Sequence, residues 1–422
     1  MPKRCPLHFL EERTTWFVLH SHFEDAPRRR VCALCVLENF FDFDRLPDMN
    51  RFFERRNKIR RVVAKHKLDA LLITNPINIR YLTGFTGGTS CLLIQPGRDA
   101  ILSDPRFTIQ IEEECPGLEA VISPRSQATS KTLLALLGKT TAGKLGIEAD
   151  TVTIGQHDRL FQSLPHWQSV PTTNVVETLR QIKDRDEILQ IRRAIGISAR
   201  AFEGVCKQLR KQEPQNPLLT EIDVCIALEF FMRLGGAEDR SFPSIIAAGA
   251  RSALPHANPT AQPLEGQPLL LFDWGCVVNG FMSDLTRVLI LKPPDKTPQG
   301  KKLRTIYETV LKANKAAIAA IKPGKTCEEI DAVARNIIKD AGYGKHFGHG
   351  LGHAIGLRIH ENPRFAAGDQ TILKPGMVMT VEPGIYLKGW GGIRIEDDIL
   401  VTKSGCEVLS KDVPKTFEAM IL

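Results

Sequence analysis

Apolar positions recur along this chain at two spacings, and the switches between them outline its elements. At 52–66, Ile59, Val62 and Val63 share one helical stripe beside Arg55, Arg56, Lys58, Arg60 and Arg61. This predicts a basic amphipathic helix with a solvated charged face, with binding to an anionic surface as the alternative. Residues 70–74 form a continuous apolar run stopped by Asn75-Pro76, and 77–82 lead into the turn-rich Gly84-Phe85-Thr86-Gly87-Gly88. Residues 90–95 and 100–103 read as strands around the turn Gln95-Pro96-Gly97. Such strands, alternating with helical stretches up to about residue 175, predict an α/β region.

Beyond it, Leu179, Ile182, Ile188, Ile191, Ala194 and Ile195 predict one charged helical stretch over 176–209. Its segment Lys183-Asp184-Arg185-Asp186-Glu187 leads into a second domain. A further helix at 219–235 closes at Gly235-Gly236. Residues 269–274 and 280–291 are strand-like, and the Asn279-Gly280 pair between them favours a tight hairpin. Helices follow at 297–321 and 326–341; Thr326 suits the N-cap of the latter, Glu328 and Glu329 its first turn, and Gly342 its end. Strands at 377–382 and 392–402 complete the pattern. A hairpin bearing two Asp, two helices, then strands bearing two Glu suggests two related halves, although no short exact repeat marks them.

The pattern gives an α/β (α+β) fold with a smaller N-terminal α/β domain at 49–175 and a larger domain at 176–422. Residues 1–48 stand apart. They hold Cys5, Cys32 and Cys35, the run Arg28-Arg29-Arg30 and the cluster Phe40-Phe41-Asp42-Phe43, with no sustained period. The expectation is that translation begins at Met49 and that 1–48 is an over-extended reading frame. A disordered, loosely docked arm is the rival, and the intact mass of native protein decides between them.

Composition narrows the function classes. With 43% hydrophobic and 25% charged residues, the chain is an ordinary globular protein, and a net charge of +8 over 422 residues does not demand nucleic acid. No apolar run approaches the roughly 20 residues of a membrane helix. The ten cysteines are scattered and no leader-like stretch precedes them, which suggests a reducing, cytoplasmic setting. Cys32 and Cys35 have ligand-like spacing but no second pair to complete a zinc site.

The chemistry gathers late in the chain. Asp273 ends the apolar run Leu269-Leu270-Leu271-Phe272, and Asp284 follows in the returning strand, so the two can face each other across a hairpin. Alternative readings are a turn residue for Asp273 and an ion pair with Arg287 for Asp284. Glu382 closes an apolar strand stopped by Pro383-Gly384. Glu396 shares a strand face with Arg394, which can orient or neutralise a carboxylate. His346, His349, His353 and His360 lie close together, but Gly348, Gly350, Gly352 and Gly356 argue against a helix. The segment therefore reads as a loop entering a strand, with backbone packed near a ligand. His256 sits in a Pro-flanked loop. Four carboxylates converging in a low-dielectric site would repel, and two divalent cations would cancel that charge and make a hydrolytic centre.

The Asp pair, His349-Gly350-Leu351-Gly352-His353 (with Gly348 before it), Val381-Glu382-Pro383-Gly384 and Arg394-Ile395-Glu396-Asp397 occur in one order. In this the chain resembles the pita-bread metallopeptidases that cleave Xaa-Pro bonds, aminopeptidase P and proline dipeptidase, over nearly everything after Met49. The resemblance implies a creatinase-like N-terminal domain and a pita-bread domain with pseudo-twofold halves. It implies Asp273, Asp284, His353, Glu382 and Glu396 as ligands of two divalent ions, Mn²⁺ first and Co²⁺ or Zn²⁺ as alternatives, with Asp284 and Glu396 bridging. It gives His256, His349 and His360 substrate-binding and proton-transfer roles. Hydrolysis would use a hydroxide shared by the metals, Glu382 shuttling its proton and His360 stabilising the oxyanion. The leading expectation is aminopeptidase P-like removal of an N-terminal residue from a peptide with proline second, in a homo-oligomer, without nucleic-acid or membrane partners. Proline dipeptidase is the alternative, with Arg364 or Arg358 to take the proline carboxylate. A non-catalytic peptide-binding relative, methionine aminopeptidase and metal-free creatine hydrolysis rank lower.

Overall fold

Helix α1 (Met49–Lys65) forms where the basic stripe predicted one, and Lys58 and Arg61 are exposed as expected, but two of its arginines leave the solvated face. In the computed structural model, which describes residues 49–123, 129–137, 142–211, 219–293 and 295–422, Arg55 and Arg56 are buried. Arg55 donates to the Tyr81 carbonyl at 2.9 Å and pairs with Glu187 at 2.8 Å. Arg56 donates to the Leu82 carbonyl and to Asp99, each at 2.9 Å, and Arg60 also reaches Asp99. Around Arg55 and Arg56, groups remote in sequence thus replace the expected solvent. The expectations for residues 1–48, Cys32 and Cys35 included, fall outside the described residues.

After α1 come β1 (Ala70–Ile73), α2 (Pro76–Thr83), β2 (Cys91–Gln95), β3 (Arg98–Ser103), α3 (Thr108–Glu114), β4 (Glu119–Ile122), α4 (Thr129–Leu136), β5 (Gly143–Glu148), α5 (Ile154–Gln162) and β6 (Trp167–Thr172). The strands make one mixed sheet in the order β4-β3-β2-β1-β5-β6. The segment at 77–82 is helical because the Asn75 side chain accepts the Ile77 N–H at one end. Gly84, at φ +85°, stops it at the other.

The stretch 176–209 is two helices, α6 (Glu177–Arg180) and α7 (Arg185–Lys211), broken at the charged connection. Then follow α8 (Glu221–Leu234), β7 (Asp239–Arg240), β8 (Ile245–Ala248), β9 (Leu269–Trp274), β10 (Cys276–Val278), β11 (Phe281–Met282) and β12 (Leu285–Ile290). The second half holds α9 (Pro298–Ala320), α10 (Cys327–Asp340), β13 (Gly352–Ala354), β14 (Glu361–Phe365), β15 (Val378–Val381), β16 (Gly384–Leu387), β17 (Gly391–Arg394), β18 (Asp397–Val401) and β19 (Cys406–Val408).

The two halves share one order of core elements, outside which β7, β14 and β19 fall. Each begins with a packed helix pair, α7 with α8 and α9 with α10. Each continues with three antiparallel strands paired in sequence, β8-β9-β12 and β13-β15-β18. A two-stranded excursion, β10–β11 or β16–β17, interrupts each triplet before its last strand. Asp273 in β9 and Glu382 just after β15 precede the excursions; Asp284 and Glu396 stand just before β12 and β18. The stretch 392–402 is accordingly not one strand: it leaves its β16 partner after Arg394 and joins β15 at Asp397. Between them the Glu396 N–H donates to the Thr286 carbonyl at 3.1 Å, tying the break to the other half. All these elements from Arg51 to Leu422 belong to one compact unit.

Candidate metal centre

Strand register carries the acidic residues to one seam. Asp273 lies opposite Ile245 on β8 and Thr286 on β12. The Glu382 N–H donates to the Leu351 carbonyl at 2.8 Å, and the His353 N–H donates to Thr380 Oγ1 at 3.0 Å. Asp273, Asp284, His353, Glu382 and Glu396 all line one cavity of about 710 Å³. Within it, ligand atoms of Asp284, His353 and Glu396 lie within 4.8 Å of one another. Glu396 is 1% exposed, so it is not a solvated strand end. Arg287 does not serve Asp284; it is fully buried against Asp397 at 2.9 Å.

This crowding has an electrostatic cost. Burial, then the charges of Glu396 and Asp273, raise Asp284 well above the usual carboxylate range. Burial and the neighbouring Glu382 and Asp273 do the same to Glu396. Burial lifts Asp273, against the opposing pull of Arg394, and pushes Glu382 up to about 8. Asp273 Oδ1 and Glu396 Oε1 are buried with no hydrogen-bond donor.

His353 makes the same demand. Its Nδ1 lies 3.2 Å from the Ala354 carbonyl, which can only accept, so Nδ1 carries the proton. Burial pushes the ring down to about 3, leaving it neutral. The lone pair of Nε2 then faces Asp284 at 3.6 Å and Glu382 at 3.4 Å. A lone pair aimed at carboxylate oxygens is unfavourable unless a cation or a proton lies between them. Orphaned acceptors, crowded carboxylates and one oriented imidazole fit divalent cations bound through oxygen and nitrogen.

The surrounding wall contains residues the sequence had singled out. His256, His349, His360, Arg364 and Arg394 line the cavity; Arg358 is exposed and is not among the lining residues. The rings of His360 and His353 meet edge-on, with centroids 4.5 Å apart. His346 lies outside the wall, tilted against Tyr343. Arg394 donates to Asp273, to Thr286 Oγ1 at 3.0 Å and to Tyr386 Oη at 2.8 Å.

Tyr386 was not anticipated, and it joins two wall residues. His349 Nδ1 lies 2.8 Å from the Gly350 carbonyl, so Nδ1 donates and Nε2 accepts from the Tyr386 hydroxyl at 2.9 Å. Proton directions therefore run Arg394 to Tyr386 to His349. Burial pushes His349 down to about 4, which keeps it an acceptor. The available signal was a lone polar ring in the apolar segment Gly384–Leu387, just after Glu382. Thr286, Thr380 and Asp398 were also missed as supports.

Residues 189–403 match the model of metallopeptidase family M24, and 55–182 match the Creatinase/Prolidase N-terminal domain. The chain belongs to metallopeptidase family M24. It is 35% identical over 358 residues to an Xaa-Pro dipeptidase of Pyrococcus furiosus, covering 85% of this chain and 98% of that one. Among solved structures it resembles an Xaa-Pro dipeptidase from Bacillus anthracis, with TM-score 0.80, 37% identity and coverage of 88% and 100%. It also resembles an X-Pro aminopeptidase from Thermotoga maritima, with TM-score 0.76, 30% identity and coverage of 87% and 99%. The mixed fold with its creatinase-like N-terminal domain and pita-bread M24 domain is thereby established, as is a metallopeptidase activity. Among the described residues, no helix is long and apolar enough to cross a membrane.

Proposed function

We propose that this M24 enzyme is a dinuclear metallo-exopeptidase that hydrolyses the peptide bond preceding proline. The observation that carries this is the single cavity into which Asp273, Asp284, His353, Glu382 and Glu396 all open, with buried carboxylate oxygens that lack donors. Asp284 and Glu396 would be shared between two divalent ions, Asp273 would serve one, and His353 and Glu382 the other. Mn²⁺ is the first candidate, Co²⁺ and Zn²⁺ the alternatives. Such ions would polarise the scissile carbonyl and make water acidic enough to attack near neutral pH.

The chain's own groups supply the rest. Glu382 accepts and returns the attacking water's proton at its carboxylate. His360, beside His353, donates to the developing oxyanion. His349 presents a ring fixed by Gly350 and Tyr386, and His256 faces the same space. Arg394 holds Asp273 in place. Proline lacks an amide N–H and forms a tertiary amide, so its recognition rests on the shape of this wall.

The leading form is aminopeptidase P-like, acting on peptides with proline second. Exposed Arg364 in the cavity wall favours the second form, a proline dipeptidase, because a guanidinium fork suits a free proline carboxylate. Homo-oligomeric assembly and a reducing, cytoplasmic setting complete the proposal; the described cysteines are all free, which agrees with the latter. The test is hydrolysis of an Xaa-Pro dipeptide and an Xaa-Pro-Xaa tripeptide with Mn²⁺, using Asp284→Ala as control. Tripeptide preference lost in the variant supports the leading form, and dipeptide preference the second. Cleavage of neither, across several metals, overturns both.

A further inference from the structure

Just beyond the cavity wall, a line of buried polar side chains runs from the N-terminal sheet to the loop that carries His360. It begins at Glu148 on β5, which accepts the Thr74 and Asn75 N–H groups at 2.6 and 2.7 Å. Asn78, fully buried in α2, donates to Glu148 at 2.7 Å and to Glu177 at 2.6 Å. Its oxygen accepts Arg180 Nη1 at 2.8 Å, and Arg180 Nη2 donates to Glu361. Lys183 Nζ holds the other oxygen of Glu361 at 3.2 Å.

Glu361 immediately follows His360 and closes the loop from within. Its Oε1 accepts the Arg358 N–H at 3.2 Å, while the Gly356 N–H donates to the Arg358 carbonyl at 3.1 Å. The carboxylate lies close against the loop backbone: a Cβ on Gly356 would lie 2.9 Å from Glu361 Oε2. The same loop is pinned on its far side, where the Met282 N–H donates to the Gly356 carbonyl at 2.9 Å. The carboxylate is only 7% exposed, and two cations offset the cost of burying it.

We propose that Glu361 is a positioning residue for His360, and that Asn78 and Arg180 of the N-terminal region set its place through this relay. The inference rests on the role of His360 proposed above. It assigns the N-terminal domain a direct part in shaping the catalytic wall, through the connection between α6 and α7. An Arg180 to Glu361 bond lost by substitution would free the 356–361 loop and let the His360 ring leave its edge-on contact with His353.

The experiment uses the full chain loaded with Zn²⁺, with Arg180→Gln and Asn78→Ala as variants. Metal content, steady-state kinetics and ¹⁵N-histidine NMR are measured on each, the His360 signals being assigned with His360→Asn. The expected result is unchanged metal stoichiometry, kcat lowered at least about tenfold with KM little altered, and displaced or broadened His360 ring signals. A merely structural bond would leave that ring signature intact. His360 signals identical to wild type, or kcat retained within about twofold, overturn the proposal. If the wild-type protein cleaves neither proline peptide, the functional reading fails, and the NMR comparison alone decides the relay. If Arg180→Gln does not fold, Asn78→Ala decides it, because that change leaves both cations, Arg180 and Lys183, in place beside Glu361.

Discussion

Asp284 and Asp398 are joined across the two halves of the M24 domain: the Asp284 N–H donates to Asp398 Oδ2 at 3.1 Å. The relationship has a counterpart. Asp398 stands two residues beyond Glu396, and Thr286 stands two beyond Asp284; Thr286 donates through its hydroxyl to Glu396 Oε2 at 2.6 Å. Each half thus supplies a carboxylate and, two residues later, the group that steadies the carboxylate-bearing residue of the other.

That reciprocity makes a prediction about Asp398. Asn at this position keeps an oxygen for the Asp284 N–H, whereas Ala leaves the N–H buried and unpaired. Asp398→Ala is expected to weaken divalent-ion affinity about 10–100-fold, and Asp398→Asn only a few-fold. Calorimetric titration of the metal-free protein checks this. Equal losses in the two variants would mean that charge, not the hydrogen bond, is what Asp398 provides.

Arg394 is the buried arginine paired with Asp273 in the cavity wall, and its three contacts need a planar fork. Lysine keeps the charge but cannot reach Asp273, Thr286 and Tyr386 together. Arg394→Lys is expected to fold and bind metal while losing activity, because Tyr386 and His349 are no longer held in sequence. Arg394→Met removes the counter-charge from buried Asp273, and urea unfolding of the metal-free variant should show a loss of about 3–5 kcal/mol. A Met variant as stable as wild type would show that Asp273 is protonated rather than paired.

What the sequence disclosed followed from local rules. Thr326 is the N-cap that the sequence marked, and Glu329 of the first turn completes a capping box with it. Asn279 and Gly280 take φ of +47° and +77°, as a tight hairpin turn requires. The carboxylates stood out because charged side chains next to apolar strand segments need a reason, and His353 because of the histidines and glycines clustered around it. What stayed hidden depends on partners far along the chain. Arg55 and Arg56 looked solvated because Asp99 lies 43 residues from Arg56 and Asp184 lies 129 from Arg55. The break at Ile395-Glu396 was missed because Ile393 and Ile395 alternate like a strand up to it; beyond, the alternation stops at Glu396-Asp397-Asp398, and a contact with Thr286 redirects the chain. Tyr386 gave no metal-like signal because it touches its neighbours through one hydroxyl.

Gly352 offers a test of packing at the site. A Cβ there would collide with the Thr380 carbonyl, on the residue whose hydroxyl accepts the His353 N–H. Gly352→Ala must push β13 away from β15, and overpacking of this kind costs about 1–3 kcal/mol. Chemical denaturation should show that loss, accompanied by weaker metal binding as His353 shifts. Wild-type stability with unaltered affinity would mean that the strand pair yields without strain.

The strongest pH prediction concerns metal loading. With Asp284 and Glu396 raised well above their ordinary values and Glu382 near 8, the metal-free cluster retains protons at neutral pH. The unfolded chain releases those protons near pH 4, so between that pH and about 8 the native state binds more of them. Stability from this cluster is therefore fully present below the unfolded value and declines as pH rises through the folded ones. Divalent ions must displace the same protons, so metal affinity should climb over the range in which metal-free stability falls. The melting temperature of the metal-free protein should drop from pH 5 to 9, while that of the loaded protein changes less. Calorimetry at pH 7 in buffers of different ionisation enthalpy should register net proton release on metal binding. No proton release, together with a flat metal-free stability profile, would mean that the carboxylates are already charged and that the strain inferred from their crowding is absent.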